Sequence, residues 1–109
     1  MRGGIKRLLG MHGFETTLFD STRALLGHGD FREALCFVLD IDLNGESGVD
    51  LSRCLAERGV RRPVIYITGN DSEANRAAAT ESGCIAYLTK PFAAQSLIEP
   101  IAGLRAATA

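Results

Sequence analysis

The sequence predicts one α/β domain: a doubly wound parallel sheet with helices on both faces, in three αβα layers. Three observations carry that prediction. Apolar runs alternate with helix-spaced segments along most of the chain. Two runs, Leu35 to Ile41 and Val64 to Ile67, are nearly continuous, as strands buried on both faces are. The stretches between runs are long enough for the helical crossovers that parallel strands require.

Each element has a local reason. Ile5, Leu8, Leu9 and Met11 share one face of a short helix, which Gly13 ends. Phe14 to Phe19 is rich in β-formers and reads as a strand. Asp20 or Ser21 caps a helix through Ala24, Leu25 and Leu26, closed by Gly27 and Gly29. Phe31 to Ala34 adds a helical turn, and Leu35 to Ile41 is the next strand, with Asp40 near its end. Gly45 and Gly48 mark a loop. Val49, Leu51, Cys54, Leu55 and Arg58 then follow helical spacing as far as Gly59. Pro63 opens the strand Val64 to Ile67, and Thr68 to Asp71 make a turn rich in cap residues. The Ala-rich helix Ser72 to Ser82 stops at Gly83, and Cys84 to Leu88 is a short strand. Lys90-Pro91 is a turn, and the last helix starts at Ala93. Pro100 falls inside that helix, where a missing N–H and a ring clash cost about 3 kcal/mol. A kink or an end near Glu99 is therefore expected.

Composition narrows the function classes. The 109 residues suit a single domain over 1–109. Hydrophobic residues are 46% and charged residues 23%, which excludes a disordered chain. With 12 Lys+Arg against 13 Asp+Glu the net charge is −1. That balance argues against nucleic-acid or membrane-surface binding by bulk charge. Arg61 and Arg62 are a basic pair, too small to track phosphates. Cys36, Cys54 and Cys84 are odd in number and lack C-x-x-C spacing, so they read as free, apolar thiols. The N-terminus has no secretory pattern, and no run approaches the ~18 apolar residues of a membrane span. A cytoplasmic location is expected. His12 and His28 stand alone beside glycines and read as loop residues rather than metal ligands.

The chemistry gathers at strand ends. Parallel sheets bind and react at the carboxyl ends of their strands. Asp40, Thr68 and Lys90 each follow or close a separate apolar run. A carboxylate, a hydroxyl and an ammonium at one edge suit a phosphoryl group. The carboxylate can attack phosphorus to form an acyl phosphate, and the other two can hold the anionic oxygens. Taken singly, Asp40 also reads as a loop cap, Thr68 with Asn70 as a helix cap, and Lys90 as a solvated turn residue.

These residues resemble the receiver domain of two-component response regulators, from about Phe14 to Leu104. The stretch VLDIDLNGESG matches the family's phosphoacceptor motif, with Asp40 as acceptor, Asn44 where Pro is frequent, and Gly48 as its Gly. VIYITG supplies Thr68 and Gly69, and YLTKPF supplies Tyr87, Lys90 and Pro91. The resemblance implies a flavodoxin-like fold and a signalling module rather than an enzyme. It implies that Asp40 accepts phosphate from a sensor histidine kinase or phosphotransfer protein. Thr68 bonds a phosphoryl oxygen, Tyr87 swings inward behind it, and Lys90 pairs first with Asp40 and then with the phosphoryl group. It further implies a cis bond before Pro91, and Mg²⁺ held by Asp40 and the backbone carbonyl of Asp42. The side chain of Asp42 lies where the family tunes dephosphorylation.

One departure stands out. The family's first strand ends in an acidic pair that binds Mg²⁺, whereas Met1 to Met11 matches the first helix and no acid precedes Glu15. Weak Mg²⁺ binding and slow or no phosphorylation are expected, as is a sheet lacking that strand. Either the second strand then pairs directly with the third, or another chain fills the gap as a homodimer or strand-swapped pair. No output domain is expected within these residues. VLDIDLN also resembles the D-x-D motif of haloacid-dehalogenase-type phosphatases, with Asp40 as nucleophile and Asp42 as acid/base. That family needs an acidic pair after its Lys, where this chain has Glu99 alone. A third reading is a phosphorylation-independent interaction module using the Ala-rich helix, the last short strand and the last helix.

Overall fold

The computed structural model describes residues 2–15, 27, 35–43, 46–60, 62–69 and 71–108. Helix α1 spans Arg2–Met11, and Gly13 turns the chain out of it at a φ of +82°, a conformation that glycine adopts without strain. The strand expected at Phe14 to Phe19, the helix expected after Asp20, the turn at Phe31 to Ala34, and His28 fall outside the described residues, apart from Phe14, Glu15 and Gly27.

Strand β1 is Phe37–Asp40, followed by a short antiparallel pair, β2 (Asp42–Leu43) and β3 (Glu46–Ser47). Helix α2 runs Gly48–Glu57, β4 Val64–Thr68, α3 Glu73–Glu81, β5 Ala86–Thr89 and α4 Ala94–Thr108. β1, β4 and β5 form a parallel sheet in that order, with Asp40 opposite Ile67 and Thr68 opposite Thr89. Every residue of β4 is buried, as its unbroken apolar run requires of a strand covered on both faces.

Strand alternation splits the core in two. Phe37, Leu39 and Ile41, with Val64 and Tyr66, face Val49, Leu51 and Leu55 of α2 and Ala79 of α3. Val38, Ile65, Ala86 and Leu88 face the other way, onto Leu9 of α1 and Leu97, Ile98 and Ile101 of α4. This is the αβα layering that the sequence predicts. Each fully buried Leu or Ile, such as Ile65 and Leu97, contributes about 1.5–3 kcal/mol.

Four local expectations are corrected. Gly48 opens α2 rather than closing a loop, and β2 and β3 occupy part of that loop. The cap of α3 is Ser72, whose hydroxyl accepts from the Asn75 N–H at 3.1 Å, so Thr68 ends β4 instead of capping a helix with Asn70. The last strand is shifted along the chain, from Cys84–Leu88 to Ala86–Thr89, by its register with β4. Finally, α4 runs on through Pro100 to Thr108. Proline removes one N–H there, and buried Leu97, Ile98 and Ile101 on either side anchor the helix to the sheet.

The three cysteines are free and partly buried. Burial pushes the Cys36 thiol up to about 11, so it is protonated at neutral pH and a poor nucleophile. His12 is exposed at the end of α1. No described helix is long and apolar enough to cross a membrane.

Candidate functional site

The carboxyl ends of β1, β4 and β5 bring the sequence-predicted residues together. Asp40 closes β1, Thr68 closes β4, and Lys90 follows β5 directly. Because β4 is central, Thr68 stands between the other two. Asp40 and Lys90 come from strands two positions apart, roughly 9.5 Å at ordinary strand spacing, and the long lysine side chain bridges that gap. Its Nζ donates to Asp40 Oδ2 at 3.1 Å. The two side chains are 24% and 33% exposed, open enough for a guest yet shielded enough for the charges to matter.

Backbone bonds hold the three tips in line. The Ile41 N–H donates to the Ile67 carbonyl at 3.0 Å, and the Lys90 N–H donates to the Thr68 carbonyl at 2.9 Å. Thr68 itself is fully buried. Gly48 closes the other side of Asp40. A Cβ at this glycine would lie 2.6 Å from the Asp40 carbonyl oxygen, so any side chain forces backbone apart. The sequence marks Gly48 as a loop residue; its close approach to Asp40 depends on how α2 starts and was not legible. The Lys90-Pro91 bond is cis.

Tyr87 lies on β5, opposite Tyr66 in register, with its ring against the α2–α3 core and its hydroxyl turned outward. That hydroxyl donates to Asp71 Oδ1 at 3.1 Å, and Arg76 donates to Asp71 Oδ2 at 2.6 Å. The Arg76 bond holds the Asp71 carboxyl below its usual range, while burial and the Asp71 charge push the Tyr87 phenol up. Sequence reading places Asp71 in a capping turn and gives Arg76 no role. No local pattern joins them to Tyr87, because the contact depends on the β4–β5 register.

Asp42 sits in β2, paired with Ser47, and Asn44 lies outside the described residues. Mg²⁺ takes six oxygen ligands and usually one or two carboxylates besides phosphate. Among the described residues no group of three or more His, Cys, Asp or Glu side chains is placed to hold a metal ion. The Asp40 carboxylate is paired with Lys90, and that of Asp71 with Arg76 and Tyr87. The described residues alone do not make a Mg²⁺ cage, although Mg²⁺ is the ion consistent with receiver domains generally.

Comparison with known proteins agrees with this geometry. The family profile described as response regulator receiver domain matches residues 1–102. Nodulation protein W of Bradyrhizobium diazoefficiens is 33% identical over 101 residues, covering 93% of this chain and 44% of that protein. Sensory transduction protein RegX3 of Mycobacterium tuberculosis is 38% identical over 94 residues, covering 86% of this chain and 41% of the relative. The chain thus spans about two fifths of the length of these curated relatives. Among solved structures, a response regulator receiver protein from Pseudoalteromonas atlantica superposes with a TM-score of 0.92 at 17% identity, over 99% of this chain and 90% of its own, and so shares the flavodoxin-like fold. The phosphatase reading is not favoured by any of these. The chain belongs to the response regulator receiver domain family and is a receiver module of two-component signalling.

Proposed function

We propose that residues 1–109 form one receiver unit in which Asp40 is the phosphoacceptor. The observation that supports this most is the Asp40–Lys90 contact at 3.1 Å, made across the strand that ends in Thr68. An Asp40 carboxylate oxygen attacks the phosphorus of a phosphohistidine on a sensor kinase or phosphotransfer protein. The P–N bond breaks, the imidazole nitrogen leaves with the electron pair, and an acyl phosphate forms on Asp40. The Lys90 ammonium exchanges its carboxylate partner for a phosphoryl oxygen without travelling far. The Thr68 hydroxyl donates to a second phosphoryl oxygen, and Tyr87 turns inward behind it. Asp40 and the backbone carbonyl of Asp42 would be the ligands this stretch offers to a Mg²⁺, too few to hold it firmly, and the ion would supply positive charge to the phosphoryl oxygens. The module works in the cytoplasm, contacts no nucleic acid directly, and self-associates as a homodimer.

Intact mass spectrometry after incubation with acetyl phosphate, with and without Mg²⁺, tests this reading. An adduct of one phosphoryl group that builds up slowly, gains little from Mg²⁺ and is lost in Asp40→Asn is the expected result. No adduct under either condition overturns the acceptor role and leaves a phosphorylation-independent interaction module.

A further inference from the structure

A second polar cluster lies on β5 and the start of α3, and two of its members, Asp71 and Arg76, have no part in the phosphate chemistry. Tyr87, Asp71 and Arg76 form a closed triangle. The Tyr87 hydroxyl bonds one oxygen of Asp71, Arg76 bonds the other, and the Arg76 guanidinium carbon lies 5.5 Å from the centre of the Tyr87 ring. Three elements meet there: β5, the segment between β4 and α3, and the first turns of α3. Asp71 and Arg76 are exposed and add nothing to either core cluster.

Asp71 follows Thr68 by three residues, so the triangle ties the chain just past Thr68 to the β5 ring that neighbours it. A Tyr87 ring moved inward carries its hydroxyl away from Asp71. The contact therefore belongs to one arrangement of the rim and is lost in the other. A contact made in only one of two states biases the equilibrium toward that state. We propose that Asp71 and Arg76 act as a latch, positioning residues that hold Tyr87 outward and set how readily the receiver switches. This rests on the reading of Thr68 and Tyr87 given above, and its test does not require phosphate on Asp40.

The test is NMR of the unphosphorylated chain carrying ¹³C-labelled tyrosine. The chain has two tyrosines. Tyr66 is fully buried, with its hydroxyl 3.0 Å from Ser82 Oγ, and serves as the internal control for folding. In the parent chain the Tyr87 ring shows contacts to the Arg76 side chain. The share of Tyr87 rings contacting the Thr68 methyl rises up to about fivefold in Asp71→Ala, which loses both bonds, and up to about twofold in Arg76→Ala, within the range open to exposed pairs. The Tyr66 signals stay in place. Asp71→Asn, which keeps an acceptor for the phenol and loses the charge, falls between parent and Asp71→Ala. Unchanged Tyr87 contacts in both alanine variants, with native Tyr66 signals, overturn the latch. A freed Tyr87 in a chain that takes no phosphoryl group leaves the latch standing and sinks the acceptor role. A stoichiometric adduct with an unmoved Tyr87 does the reverse.

Discussion

The Asp40–Lys90 pair joins residues fifty positions apart, whereas Asp71–Arg76 joins residues five apart on the same rim of the sheet. The first exists only when three strands are assembled in register, and it is two-thirds or more sheltered from solvent. The second needs little more than a helix and its approach, and both partners face water. A long-range, half-buried pair reports the fold and places chemistry; a local, exposed pair adjusts a conformation that the fold leaves open. This difference gives each contact its own sensitivity to mutation, salt and pH.

The largest effect should come from the backbone around Asp40. Gly48→Ala places a Cβ against the Asp40 carbonyl and should cost about 1–3 kcal/mol in urea unfolding, with loss of the phosphoryl adduct. Stability unchanged from the parent would mean that α2 can back away from β1 at little cost. Lys90→Met should cost about 1 kcal/mol, and that cost should persist at 1 M salt because the pair is sheltered. Arg76→Ala should cost much less than Lys90→Met, and that small cost should vanish at 1 M salt. Equal salt dependence in the two variants would erase the distinction drawn here.

Acid gives the smallest and most specific effect. Because Arg76 lowers the Asp71 pKa, the carboxylate stays ionised below the range near ~4 where ordinary aspartates take up protons. The stabilisation from a depressed carboxyl is present above its unfolded pKa and lost as pH falls through the folded one. The Tyr87–Asp71 contact should therefore survive to lower pH than an unpaired aspartate would allow. A ¹³C titration of the Asp71 carboxyl should show a midpoint that moves upward in Arg76→Ala.

How much of this the sequence could show follows from the range of each interaction. Continuous apolar runs at Leu35 to Ile41 and Val64 to Ile67 are local, and they gave the buried strands and hence the layering. Asp40, Thr68 and Lys90 were legible because parallel strands put their carboxyl ends on one edge. Gly48 was misread as a loop residue, since its contact with the Asp40 carbonyl is tertiary. Asp71 and Arg76 carried no readable role, because only the pairing of Tyr66 with Tyr87 brings β5 beside the start of α3. Pro100 was expected to kink its helix or end it near Glu99; the helix does not end there, because burial of Leu97, Ile98 and Ile101 outweighs local propensity.

The most direct measurement on the site is chemical trapping. An acyl phosphate is reduced by borohydride to the alcohol, so a phosphorylated Asp40 becomes homoserine. After treatment with acetyl phosphate and then borohydride, peptide sequencing by mass spectrometry should find homoserine at position 40 and at no other aspartate. An unreduced Asp40, with homoserine at another aspartate or at none, would contradict the convergence of the three strand tips on one phosphoryl group.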